Sequence, residues 1–196
     1  MALKSPMIKR GLALRAAYVW GQGVSITARD DKVNDVIQRF LGDPGNRRTL
    51  TGDQAHETLE RALGTDGNVF LACFTSPRTG RVQVRHVPWD EITDIICNPD
   101  DASEPSYYKR DWWTERIDPV VGARITERRI AYYPALGFRP LARPKQIQDL
   151  SGAGPVQWDA PVYHVRVGGQ SGWKFGLPDA YAAVDWAQGS KEFLPD

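Results

Sequence analysis

Three histidines, two cysteines and a set of clustered acids are the residues of this chain whose types could carry chemistry. His56, His86 and His164 stand far apart, and none lies near another or near a cysteine at the spacing a metal ion needs. His86 and His164 fall at alternating strand positions, as ordinary edge histidines do. Asp90, Glu91 and Asp94, with Asp100 and Asp101, offer the oxygen donors that a divalent cation or acid–base work requires. They lack calcium-loop spacing, and Asn98-Pro99-Asp100-Asp101 makes a good turn without a metal. The glycines of Gly64-Thr65-Asp66-Gly67-Asn68 precede a strand instead of following one and lack the Gly-Lys-Ser/Thr ending of a nucleotide loop. Gly21-Gln22-Gly23 is equally short of a dinucleotide fingerprint, so both read as turns. No Gly-x-Ser-x-Gly elbow appears. Triads assemble from distant residues, which leaves a hydrolase with dispersed catalytic groups as a minor alternative. The expectation is a chain that is not an enzyme, holds no metal and needs no cofactor.

A second constellation interleaves aromatic and basic side chains: Tyr107, Tyr108, Lys109, Arg110, Trp112 and Trp113. Such a stretch can stack bases and track phosphates, which makes a nucleic-acid-binding module the alternative function. Asp111, Glu115 and Asp118 stand among these residues, and a cross-strand aromatic ladder inside a sheet accounts for the same pattern.

The elements that must position these groups follow from periodicity. Val69 to Phe74 is a six-residue apolar run with turn formers on both sides, too short for a helix and suited to a buried strand. Ser76-Pro77-Arg78-Thr79-Gly80 supplies turn chemistry, and Arg81 to Val87 alternates apolar with polar residues. Residues 67–88 are therefore expected to form a central hairpin. Before it, a helix over Pro6–Trp20 is stopped by the glycines at 21 and 23, and Val24–Ala28 alternates like an edge strand. The next helix, capped by Asp30 or Asp31, carries Val33, Val36, Ile37, Phe40 and Leu41 as an amphipathic stripe. A further helix starts near Thr51. After the hairpin come a run through Cys97, two strands at Tyr107–Thr114 and Ile125–Tyr133, a Pro/Gly-rich loop over 134–157, a strand at 161–167 and a helix after Pro178. The fold class is α+β, with a mostly antiparallel sheet and flanking helices in a single domain, 1–196.

With 196 residues and a formal net charge of +1, the chain can bury a core, and its overall charge does not argue for nucleic acid. The charge is uneven: residues 1–29 are basic without an acid, 90–118 are acid-rich, and 124–145 turn basic again. No apolar stretch reaches the ~18 residues of a membrane span. Arg15 interrupts the N-terminal apolar run, so a secretory signal is not expected. Cys73 and Cys97 read as free thiols in a reducing, cytoplasmic setting.

In order along the chain, the runs KRGLALRAAYVWGQG (9–23), ALGTDGNVF (62–70), VPWDEI (87–92), NPDD (98–101), YYKR (107–110) and FGLPDAYAAVDWA (175–187) resemble portal proteins of tailed bacteriophages, in particular those infecting actinobacteria. The resemblance implies the outer wing of a portal subunit. It implies assembly with itself into a ring, commonly dodecameric, at a capsid vertex of the virion, after assembly in the host cytoplasm. The implied partners are terminase, capsid and head-tail connector proteins, and double-stranded DNA passing through the channel; no membrane is involved. The helix of 178–196 would lead towards a stem region, with the chain ending before the stem and clip, as a fragment or a non-functional prophage remnant. Within that resemblance Asp100, Asp101, Arg124, Arg128 and Arg129 are the expected subunit contacts.

Overall fold

The structure, a computed structural model, describes residues 5–193. Its α+β architecture is a pair of three-stranded antiparallel sheets sharing one core, a small two-stranded hairpin, and a layer of helices. The helices are α1 (Pro6–Trp20), α2 (Asp31–Gly42), the short α3 (Pro44–Asn46), α4 (Ala55–Asp66) and α5 (Val184–Phe193).

The first sheet has the order β2-β1-β8, with β1 (Asn68–Thr75) between β2 (Val82–Val87) and β8 (Val162–Arg166). The expected hairpin is present, with Phe70 opposite Val87 and Cys73 opposite Val84. The second sheet has the order β3-β4-β5, from β3 (Ile92–Asn98), β4 (Asp101–Ile117) and β5 (Arg124–Pro134). β4 and β5 are longer than their aromatic stretches suggested. They pair from Tyr107 opposite Pro134 out to Ile117 opposite Arg124, whereas β3 accompanies β4 only as far as Arg110. Residues 111–129 therefore stand out as a two-stranded ribbon.

Phe70, Ala72 and Val162 from the first sheet meet Ile95, Tyr108, Ala131 and Tyr133 from the second in one buried cluster. The Phe70 ring is fully buried, edge-on to Tyr108 at 5.6 Å and stacked on His164 at 4.2 Å. Burying an aromatic side chain of this kind contributes on the order of 2–3 kcal/mol.

Buried amides close the sheet edge. Asn46, fully buried, donates to the carbonyls of Phe40 and Val82 and accepts from the Val84 amide at 2.8 Å. Thr49 adds a bond to the Val84 carbonyl. The turn of 44–51 thus occupies the open side of β2, where exposed backbone groups would otherwise invite a foreign strand.

Two expectations are corrected. Val24–Ala28 is not a strand: the Gln38 side chain holds the Ile26 carbonyl and Asn34 accepts from the Ala28 amide, so α2 takes the hydrogen bonds a neighbouring strand would have made. Residues 134–157 are not all loop, since β6 (Gln146–Asp149) and β7 (Gly152–Pro155) form a hairpin against β5. Its glycines misled the reading, because a Cβ at Gly154 would lie 2.8 Å from the Ile130 carbonyl oxygen and only glycine lets the strands approach. The α2 stripe is only partly covered: Ile37, Phe40 and Leu41 are half-buried. α2 has no buried residue, and Val33 and Val36 are 51% and 61% exposed.

Candidate interaction surfaces

Most of the residues singled out by their chemistry have structural occupations. Gly67 is the left-handed cap of α4 at φ 70°, donating to the Leu63 carbonyl, so the glycine-rich run is a helix stop. Glu91 pairs with Arg110 and Asp94 with Lys174, while Asp101 accepts from the amide and hydroxyl of Ser103. Among the described residues no group of three or more His, Cys, Asp or Glu could hold a metal ion, and no helix is long and apolar enough to cross a membrane. Cys73 and Cys97 are free thiols, half-buried.

The histidines serve packing. His56 stacks on Trp20 at 4.3 Å. His86 is half-buried with its Nε2 unpartnered, and burial lowers its pKa against the opposing pull of Asp66. His164 meets the Oδ1 of Asn68 at 3.1 Å. Because that oxygen also accepts from the Gly176 amide at 2.7 Å, it is the His164 Nε2–H that donates, leaving Nδ1 unprotonated. Burial, with Arg166 nearby, pulls the imidazole pKa down to about 4, so it is neutral at neutral pH.

The aromatic–basic stretch is mostly spent inside the protein. Tyr108 and Lys109 are 2% and 4% exposed. Lys109 Nζ lies 2.5 Å from Asp149 Oδ2, which also accepts from the Tyr132 hydroxyl at 2.8 Å. Tyr107 packs edge-on against Phe138 and Trp158, and Arg110 lies over the Trp112 ring at 4.2 Å. Only Trp113, at 67% exposure, keeps an open face. A base-stacking platform needs successive free rings beside unpaired cations. This stretch offers one open ring.

Of the expected subunit contacts, Arg124 pairs with Glu115, Arg128 with Asp111 and Arg129 with Glu127, all within the β4–β5 ribbon. Asp100 lies in the turn between β3 and β4, where its amide donates to Asn98, and Asp101 opens β4 opposite Asn98.

Periodicity alone did not disclose the apolar surface left on the helical layer. α1 crosses α4 where Leu12 fills the space that a side chain at Gly64 would need. Arg15 Nε lies 2.5 Å from Glu60 Oε1 as an ion pair, and Trp20 Nε1 donates to Glu60 Oε2. Arg15 also pairs with Asp179, tying α1 to the segment before α5. Between these pieces runs a groove of about 510 Å³ walled by Ile8, Leu12, Ala180 and Ala183. Met7 and Trp186 stand at it 74% and 84% exposed, and Tyr18 and Val19 continue the apolar surface along α1.

No protein-family model matches the chain. Curated proteins that match it are the SWI/SNF-related matrix-associated actin-dependent regulator of chromatin subfamily D member 2 of Homo sapiens, Bos taurus and Rattus norvegicus, each 27% identical over 119 residues, or 56% of this chain. The chain spans 22% of the length of these relatives. The finding overturns the portal reading, because the matched proteins are regulators of chromatin and not phage components. A ring of portal subunits, partners among terminase, capsid and connector proteins, channel DNA and a place at the capsid vertex are corrected with it. Short runs such as NPDD and YYKR are turn and strand chemistry that unrelated α+β folds share.

Proposed function

We propose that this chain is a non-enzymatic interaction module, a part of a larger protein assembly associated with chromatin. The observation that carries the reading is α2: an amphipathic helix with no buried residue, whose Val33 and Val36 face solvent. An apolar stripe normally faces a core. Here Val33 and Val36 face water while Ile37, Phe40 and Leu41 are half-buried, and α1 separately exposes Met7, Leu14, Tyr18 and Val19; unpartnered apolar surface of this kind supports a protein-binding role. The spent state of the candidate catalytic groups supports a binding role over a chemical one. The likeness to regulators of chromatin supports the setting.

The test is affinity purification from a nuclear extract with the bound proteins identified, comparing the wild-type chain with Val33→Asp/Val36→Asp. Both positions are exposed, so the variant should keep its fold. Recovery of chromatin-regulating proteins by the wild type and their loss with the variant is the expected result. A recovered set without chromatin proteins, or one retained by the variant, would overturn the reading.

A further inference from the structure

We propose that the cavity between β3, the start of β4 and the end of β8 binds a small oxyanion, a phosphate or a carboxylate, held by Arg166 and Lys174. The cavity measures about 170 Å³, below the roughly 300 Å³ at which drug-sized sites begin. Ile95 and Cys97 form its apolar side, and Tyr108, His164, Arg166 and Lys174 bring polar groups to it, with no carboxylate in the lining.

The balance of donors and acceptors selects the ligand. Arg166 uses Nη1 on the carbonyls of Trp173 and Lys174, which fixes the guanidinium. Its Nε and Nη2 make no hydrogen bond among the described residues. A guanidinium held on one side presents a two-pronged donor on the other, the geometry that suits phosphate and carboxylate oxygens. The Lys174 ammonium makes one contact, a half-exposed pair with Asp94 at 3.2 Å. Tyr108 lines the inner wall, and its hydroxyl donates to no described protein group. The acceptors among these side chains are all neutral: Nδ1 of His164, whose Nε2–H is committed to Asn68, and the hydroxyl oxygens of Tyr108 and Ser103. Ser103, at the rim, has its hydroxyl engaged by Asp101. Two cations and a phenol O–H, with only neutral acceptors beside them, suit an anion and not a cation. Asp94 is the competing carboxylate at the mouth.

The proposal is tested on the full chain by titrating inorganic phosphate and, separately, acetate at constant ionic strength, following backbone and ring resonances by NMR. Saturable shifts at Tyr108, His164 and Arg166 with either probe are expected, and the tighter probe names the class. Lys174→Gln, which leaves the strands untouched, and Arg166→Gln should each weaken binding at least tenfold, whereas Arg124→Gln on the distant ribbon should not. Asp94→Asn should tighten binding several-fold, because an Asn oxygen can still accept from the Ile95 amide while the competing charge is gone. That gain cannot be mistaken for unfolding. Linear, unsaturated shifts, or shifts unchanged in Arg166→Gln and Lys174→Gln, would mean an adventitious ion only and would overturn the proposal.

Discussion

At the scale of single residues, the polar groups inside the protein carry more structural information than its apolar ones. Lys109 is buried beneath the β6–β7 hairpin and Asp149 answers it, so the carboxyl pKa is held down to about 2, chiefly by the Lys109 hydrogen bond. Removing one member of a buried pair strands the other charge, whereas replacing both by apolar groups of similar volume is nearly neutral. Asp149→Ala should therefore lower the urea midpoint by leaving the buried Lys109 ammonium without its partner, and Lys109→Met/Asp149→Leu should recover most of the loss. An additive double variant would refute the pairing. His164 sets a second expectation. Its pKa is about 4 in the fold against an ordinary 6.5, so the unfolded chain binds the proton first as pH falls. The stabilisation is complete above about pH 6.5 and is lost as pH falls towards about 4, with His86 shifted in the same direction. Equilibrium unfolding between these limits should show stability rising with pH, and His164→Gln should flatten the slope. An unchanged slope would remove His164 as its source. Neither partnership is legible in the chain, because Lys109 and Asp149, like Asn68 and His164, lie far apart in sequence.

At the scale of elements, regular local signals transferred well and context-dependent ones did not. α1 occupies the expected residues, and Asp30 caps α2 by accepting from the Val33 amide at 3.1 Å. The central hairpin formed because a buried apolar run, a Pro/Gly turn and an alternating strand all demand it. The β6–β7 hairpin was illegible because its glycines answer to Ile130, a partner on another strand. Gly67 shows how one position joins elements. It ends α4 at φ 70°, and a Cβ there would lie 2.6 Å from the Pro178 nitrogen and 2.7 Å from the Leu177 carbonyl carbon. Gly80 shares the left-handed conformation, at φ 67°, but has nothing within 4 Å. Gly80→Ala should thus cost about 1 kcal/mol of backbone strain. Gly67→Ala should cost clearly more, because the strand start and the 176–178 segment must also separate. Equal melting temperatures for the two variants would refute that contact.

At the scale of the whole molecule, two sheets share a core while the helical layer keeps much of its apolar surface in contact with water, which is the surface the proposed interaction role would use. The proposed oxyanion cavity lies where the two sheets meet, away from that layer. By itself the sequence determined the α+β class, the positions of α1, α2 and the central hairpin, and the absence of local catalytic motifs, because each depends on spacing within a few turns or on strand alternation. Only the tertiary structure decided that Val33 and Val36 of the α2 stripe stay exposed, that Tyr108 and Lys109 are buried, and that Arg166 and Lys174 converge on one cavity. Burial and convergence depend on which distant segments pack together, and a pattern read along the chain records the face a residue shares but not what that face meets.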